Sequence, residues 1–213
     1  MNSLHPIRAW FPELDDSRWL LLERFHELFR DWNSRINLVS RQDMDQFAVH
    51  HVAHALALLK VARFGPRTRV LDVGTGGGLP GLPLAIACPQ AQFHLCDSVG
   101  KKIRAVGEMA RELGLENVQA VHKRAEELES KWDYVLGRAV TAMPRFLEWI
   151  EGNVRPGAAA GVANGVFYWK GSLYADELAS IGRQPDAVHP VDQWLPDPYF
   201  AGKFIVYLRR RGG

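Results

Sequence analysis

Four glycines give this chain its clearest chemistry. Gly74, Gly76, Gly77 and Gly78 follow directly on Arg69-Val-Leu-Asp-Val73, a β-branched, apolar run that reads as a short buried strand. A loop without side chains lets a ligand come close to the backbone. Its free N–H groups, together with a helix start at Pro80, favour an electron-rich or anionic ligand group. Asp97 ends the next apolar run, Ala91-Gln-Phe-His-Leu-Cys96. An acid there can accept hydrogen bonds from both hydroxyls of a ribose.

Two registers fit the glycines. Gly74-x-Gly76-x-Gly78, starting directly after the strand, suits an S-adenosylmethionine loop. Gly76-x-Gly78-x-x-Gly81 matches the dinucleotide fingerprint by letter, but it places Pro80 inside the tight turn and ranks second. The alternatives to a methyltransferase are therefore an NAD-dependent oxidoreductase and a non-enzymatic RNA- or ribosome-binding module with a relic cofactor loop. His50, His51 and His54 stand at i, i+1 and i+4, and no third metal ligand accompanies His50 and His54. No metal is expected, and these histidines read as packed or substrate-facing. Cys88 precedes Pro89 and Cys96 lies inside a strand, so neither is placed as a nucleophile, and both read as small buried residues.

The elements that position these residues fall into two parts. Residues 1–66 read as a helical extension, with Trp19, Leu22, Phe25, Leu28 or Phe29, and Trp32 on one face of a first helix that Asn33-Ser34 should break. A connector, Ile36-Asn-Leu-Val-Ser40, leads to a second helix over about 42–63. From residue 67 to 213 strands and helices alternate: strands at 69–73, 91–97, 117–122 and 133–136, with helices at about 80–88, 99–113 and 143–151 between and after them. This alternation predicts parallel strands with right-handed crossovers, and ligands on such sheets sit beyond the strands' carboxyl ends. Gly74–Gly78, Asp97, the residues after His122, and Gly137-Arg138 should then meet on one edge. A final strand pair, 188–191 and 203–209, reads as a hairpin around a proline-rich loop, and 157–165 has no clear assignment.

The 213 residues suffice for one α/β domain with an appendage, and 47% apolar with 23% charged residues is ordinary for a globular protein. A net charge of +2 does not by itself imply a nucleic-acid partner. Two cysteines build no disulfide framework, which fits a reducing cytoplasm, and no apolar run is long enough for a bilayer. The N-terminus lacks the basic and apolar regions of a signal peptide.

Asp72-Val-Gly-Thr-Gly-Gly-Gly-Leu-Pro-Gly-Leu-Pro-Leu84 closely resembles the cofactor loop of the bacterial 16S ribosomal RNA guanine-N7 methyltransferase G family, also called glucose-inhibited division protein B. Ile36-Asn-Leu-Val-Ser40, Asp97-Ser98-x-x-Lys101, Arg124-Ala-Glu126, Arg138-Ala139 and Tyr168-Trp-Lys-Gly171 match in order. The second helix departs, with His50-His51-x-x-His54-Ala55 where the family carries an Arg-His…Asp-Ser pattern.

The resemblance implies a class I, Rossmann-like methyltransferase fold with a mostly parallel seven-stranded sheet. It implies cofactor contacts from Gly74, Gly76, Gly78, Leu79, Asp97, Ser98, Ala125, Glu126 and Arg138. It makes Arg138 the catalytic candidate beside the methyl donor, and Lys101, Arg124 and Lys170 the contacts to RNA. The implied cofactor is S-adenosyl-L-methionine and the implied partner is 16S rRNA or the 30S subunit, with no membrane and no obligate protein partner. Guanine N7 carries an in-plane lone pair and no proton, so such a transfer needs alignment rather than a general base. The chain agrees in lacking the Asn/Asp-Pro-Pro-aromatic motif of adenine amino methyltransferases after its fourth strand.

Overall fold

The computed structural model describes residues 4–211. Seven strands form one sheet: β1 Arg69–Val73, β2 Gln92–Asp97, β3 Val118–His122, β4 Tyr134–Arg138, β5 Gly165–Lys170, β6 Ala187–Pro190 and β7 Phe204–Arg209. Their order is β3-β2-β1-β4-β5-β7-β6. The first five run parallel, and β7 pairs antiparallel with both β5 and β6. The order reverses between β1 and β4, so a crevice opens beyond the carboxyl ends of these two strands.

Helices α5 Gly81–Ala87 and α6 Gly100–Glu112 follow β1 and β2, and α7 Met143–Ile150 follows β4. The N-terminal segment contributes α1 His5–Arg8, α2 Asp16–Ile36, α3 Arg41–Asp45 and α4 His54–Leu56, and α8 Tyr174–Ala179 follows β5. One sheet face is covered by the N-terminal helices, and Leu4, Phe25 and Phe29 belong to the same buried cluster as Leu82, Leu136 and Phe167. The other face packs Phe146, Leu147 and Ile150 of α7 over Leu71, Val135 and Tyr168. No described helix is long and apolar enough to cross a membrane.

Three local readings change. Asn33-Ser34 does not end α2, which runs on to Ile36. Asn33 is buried, and its side-chain oxygen accepts from the Val39 N–H at 2.8 Å, so it caps the following turn instead of breaking its own helix. The stop comes at Asn37, a left-handed C-cap. The stretch expected as one helix over 42–63 is wound three ways: α3, then a π-helix Ala48–Ala53, then α4 passing into a 3-10 turn at Ala57–Lys60. Pro80 sits at the N-cap of α5 rather than in its first turn. The 157–164 stretch is irregular and tied by polar groups: Asn164 donates to Asp133 at 2.9 Å, and the Tyr134 hydroxyl accepts from the Ala160 N–H at 2.9 Å.

Candidate active site

The glycine loop is held by a buried carboxylate. Asp72, 1% exposed, accepts from the Thr75 hydroxyl at 2.6 Å and the Gly81 N–H at 2.9 Å through one oxygen. It thereby joins the start of the loop to the start of α5. Burial raises the Asp72 carboxyl to about 7, and its second oxygen has no partner. A Cβ on Gly81 would lie 2.8 Å from that carboxylate, so the closure requires glycine there.

The loop's N–H groups are less free than its composition suggests. Thr75 donates to the Cys96 carbonyl, Gly78 and Leu79 both donate to the Thr75 carbonyl, and Gly76 donates to Asp97 at 3.0 Å. The loop is a self-bonded turn rather than a row of open donors. What it offers a ligand is bare backbone at Gly74, where φ is +66° and a Cβ would stand 2.9 Å from a Val140 methyl.

A cleft of ≈ 420 Å³ opens at this point. It takes Gly74 from the end of β1, Asp97 and Ser98 from the end of β2, and Arg124, Ala125 and Glu126 from beyond β3. Asp97 accepts from Gly76 through one oxygen and from Val99, at 2.8 Å, through the other. Each oxygen keeps a second lone pair for a ligand hydroxyl. Lys102, Arg145 and Trp149 also line the cleft, and sequence reasoning did not assign them to it. The Arg145–Trp149 spacing of i,i+4 on amphipathic α7 was the available signal, and the two side chains stack at 5.2 Å.

Other sequence-predicted positions lie elsewhere. Gly76 meets the site through its bond to Asp97. Gly78 packs against Leu82, and Leu79 is 5% exposed within the core cluster on the N-terminal side. Gly78 and Gly81 of the later register thus face protein rather than the cleft. Lys101 is exposed at the start of α6 and lines neither cleft.

Arg138 and Lys170 line a second cleft of ≈ 450 Å³. The two clefts share Ala139 and Thr141, which stand directly after β4. Ala139 holds φ +55°, a left-handed conformation that costs a non-glycine residue about 1–2 kcal/mol. Tyr168 secures this wall: its hydroxyl donates to the Thr141 carbonyl at 2.7 Å and accepts from the Thr141 N–H at 3.0 Å. Gly137 lets Tyr168 and Phe146 close in, since a Cβ would lie 2.7 Å from both rings.

Arg138 binds the N-terminal helices to the sheet edge, donating to the His50 carbonyl at 3.4 Å and to His51 Nδ1 at 3.1 Å. A guanidinium only donates, so His51 Nδ1 is the acceptor and the ring proton resides on Nε2. Burial, and then the Arg138 charge, hold His51 at about 3, so it is neutral. His50, His51 and His54 all line this cleft. His50 and His51 lie in the π-helical stretch Ala48–Ala53. His50 also meets Asp43 at 3.2 Å and stacks on Tyr199 with centroids 3.6 Å apart. Among the described residues no group of three or more His, Cys, Asp or Glu side chains is placed to hold a metal ion.

Comparison with known proteins identifies the family and the fold. Residues 19–189 match the family described as rRNA small subunit methyltransferase G. The chain is 40% identical over 206 residues to "Ribosomal RNA small subunit methyltransferase G" of Christiangramia forsetii, covering 97% of each chain. It is 37% identical over 201 residues to the protein of the same name from Bacteroides thetaiotaomicron, covering 94% of this chain and 97% of that one. Among solved structures, a SAM-dependent methyltransferase from Aquifex aeolicus superposes with a TM-score of 0.52 at 19% identity, over 72% of this chain and 87% of its own. That likeness establishes the fold: a class I, Rossmann-like methyltransferase sheet.

Proposed function

Because the chain belongs to the rRNA small subunit methyltransferase G family, we propose that it methylates small-subunit ribosomal RNA. More narrowly, we propose that it transfers a methyl group from S-adenosyl-L-methionine to N7 of a guanosine in 16S rRNA. One observation carries the reading: two clefts meet at the Ala139–Thr141 wall, the first suited to a nucleoside cofactor and the second lined by cations and aromatic rings.

The first cleft fits the cofactor by its own chemistry. Gly74 lines the cleft with backbone alone, its Cβ side being closed by Val140, and Asp97 keeps acceptor capacity for two ribose hydroxyls. Ser98 would lie beside the ribose, and Ala125 and Glu126, which line the same cleft, would meet the adenine, one by backbone and one by side chain. Gly76, Gly78 and Leu79 act by shaping the loop. When bound, S-adenosyl-L-methionine supplies an electrophilic sulfonium methyl.

The chain's own part is then to align and to exclude water. Guanine N7 has no proton to lose, so the site needs no general base. In the second cleft His51 is engaged by Arg138 at Nδ1 and Tyr168 is committed to the wall, so neither is free to act as a base. Arg138, which lines the second cleft and bonds the histidine segment, orients the acceptor side. Arg124, Lys170 and exposed Lys101 are proposed RNA contacts. Residues 1–66 are proposed as a helical extension of the methyltransferase domain 67–213, and the cytoplasm as the place of action on 16S rRNA or the 30S subunit.

The experiment pairs calorimetry with S-adenosylmethionine and tritium transfer into 30S subunits and bare 16S rRNA. Saturable binding with label in ribosomal RNA is expected. Binding without label in either RNA substrate overturns the proposal.

A further inference from the structure

β7 closes on Arg209, and Arg210 and Arg211 follow it, consecutive cations that neither cleft uses. β7 runs antiparallel to β5, so this run emerges where the parallel strands begin. Arg209 pairs with Gly165, the first residue of β5, and Phe204 pairs with Lys170, the last. Lys170 lines the second cleft, so the run stands about 17 Å from it along β5, at about 3.3 Å per residue.

A groove of ≈ 720 Å³ opens there, lined by Arg183, Arg209, Arg210 and Arg211 against a single carboxylate, Asp186. A glycine turn after α8 delivers Arg183. Gly182, at φ +60°, donates to the Ala179 carbonyl, and the Arg183 N–H donates to the Leu178 carbonyl, each at 3.0 Å. Arg183 is 6% exposed, and its guanidinium is fixed by Glu151 at 2.6 Å and by the Arg209 carbonyl at 3.0 Å. A guanidinium has five N–H donors, so this buried fork keeps others for a ligand. Asp186 is committed to Arg209: it accepts from the backbone N–H at 2.9 Å and stands 3.6 Å from Nε. Among the described residues the ion pairs of the groove are Arg183–Glu151 and Arg209–Asp186, which leaves Arg210 and Arg211 without a carboxylate partner. The Arg210 N–H donates to the carbonyl of buried Asn164 at 2.9 Å, so the backbone beneath these two cations is held in place.

We propose that this groove is a second RNA contact, which takes backbone phosphates of the substrate at the end of the sheet opposite the two clefts, with Arg183 as its buried donor and Arg210 and Arg211 as its outer cations. The proposal rests on the methyl-transfer reading for the identity of the anion.

The lining chemistry selects phosphate over base. Planar guanidinium forks match phosphate oxygens bidentately. No aromatic side chain lines the groove, so it offers a base no stacking surface. Contacts of this kind position a nucleic acid without reading its sequence. A single nucleotide in the second cleft does not reach across the length of β5; only an extended or folded RNA occupies both places. The groove therefore adds affinity for a large substrate and leaves the transfer step untouched.

The test is filter binding of 30S subunits and of bare 16S rRNA by the full-length protein, from about 50 to 200 mM KCl, with methyl-transfer kinetics on 30S subunits. The variant is Arg210→Gln with Arg211→Gln. Losing two phosphate contacts should flatten the slope of log affinity against log salt by about 1.4–1.8, and weaken binding about 10- to 20-fold at 200 mM salt. KM for 30S subunits should rise accordingly, with kcat and S-adenosylmethionine affinity as in wild type. A control removes the same charge elsewhere, Arg24→Gln with Arg111→Gln, both exposed and paired on their own helices; it should keep the wild-type slope. A wild-type slope in Arg210→Gln/Arg211→Gln, or an equal loss in the control, overturns the proposal. So does a loss confined to 30S subunits with bare 16S rRNA unaffected, which would make the partner a ribosomal protein. Displacement of RNA by millimolar inorganic phosphate at constant ionic strength, seen in wild type and not in the variant, would make the groove a free-phosphate site and overturns it as well. If wild-type protein binds both RNAs with the expected slope but labels neither, the groove stands and the methyl-transfer reading fails.

Discussion

Gly74→Ala puts the cofactor cleft under a defined stress. The new Cβ would stand 2.9 Å from one Val140 methyl and 3.1 Å from the other, at a backbone φ of +66°. Two costs follow. Holding alanine in the left-handed region costs about 1–2 kcal/mol. Val140 is β-branched and cannot rotate both methyls away, so overpacking adds about 1–3 kcal/mol. The sum, about 2–5 kcal/mol, corresponds in a domain of this size to a fall of about 4–20 °C in Tm. Val140 also lines the cleft, so its displacement narrows the cofactor site, and S-adenosylmethionine affinity should drop at least about tenfold, or ~1.4 kcal/mol. Adding Val140→Ala separates the two costs, because it removes the clash and leaves the φ penalty. The double variant should recover about 1–3 kcal/mol over what the two single variants sum to, read from denaturant or thermal unfolding. If Gly74→Ala melts and binds like wild type, or if Val140→Ala brings no recovery, this account of the loop is wrong.

Asp97→Ala should weaken S-adenosylmethionine binding by about 1–3 kcal/mol in calorimetry, through lost ribose hydrogen bonds and the release of Gly76 and Val99; wild-type affinity would remove Asp97 from the site. Tyr168→Phe frees the Thr141 carbonyl and N–H, and should lower kcat for methyl transfer while melting about 1–2 kcal/mol earlier; an unchanged kcat would show that the wall needs no latch. Asp72 predicts a pH dependence of stability. Its folded pKa, about 7, lies above the ordinary 3.8, so between these values the folded state binds more protons than the unfolded one and stability falls as pH rises. At about 1.4 kcal/mol per pH unit the contribution is bounded near ~4 kcal/mol, and unfolding of Asp72→Asn across pH 4–8 should lack this slope; identical slopes would show that Asp72 is not buried as a carboxyl.

The cofactor side was legible because its signals are local. A strand, a glycine loop and an acid at the next strand's end lie within one stretch of chain, and the alternation of elements dictates where those ends meet. The second cleft was legible only in part. Arg138 and Lys170 were expected at a site, but Asp43 and Tyr199 come from distant segments and no periodicity connects them to it. The histidine run was visible, but not its π-helical winding, in which His51 meets Phe47 and the His50 carbonyl accepts from Arg138. Asn33 misled for a related reason: a polar residue usually opens a helix to solvent, and this one turns inward to hold Val39. The loop's internal bonds were also hidden, since composition shows where Cβ atoms are missing but not which N–H groups already have partners.

The central claim is that a nucleoside cofactor in one cleft meets an unprotonated ring nitrogen in the other, across the wall after β4. Nucleoside analysis of 30S rRNA, labelled by the purified protein with methyl-tritiated S-adenosylmethionine, tests it most directly. The account predicts that the label elutes as 7-methylguanosine from 16S rRNA. Label on an exocyclic amine, a ribose or a pyrimidine carbon would contradict it, since each of those acceptors needs proton or nucleophile chemistry that this site was not assigned.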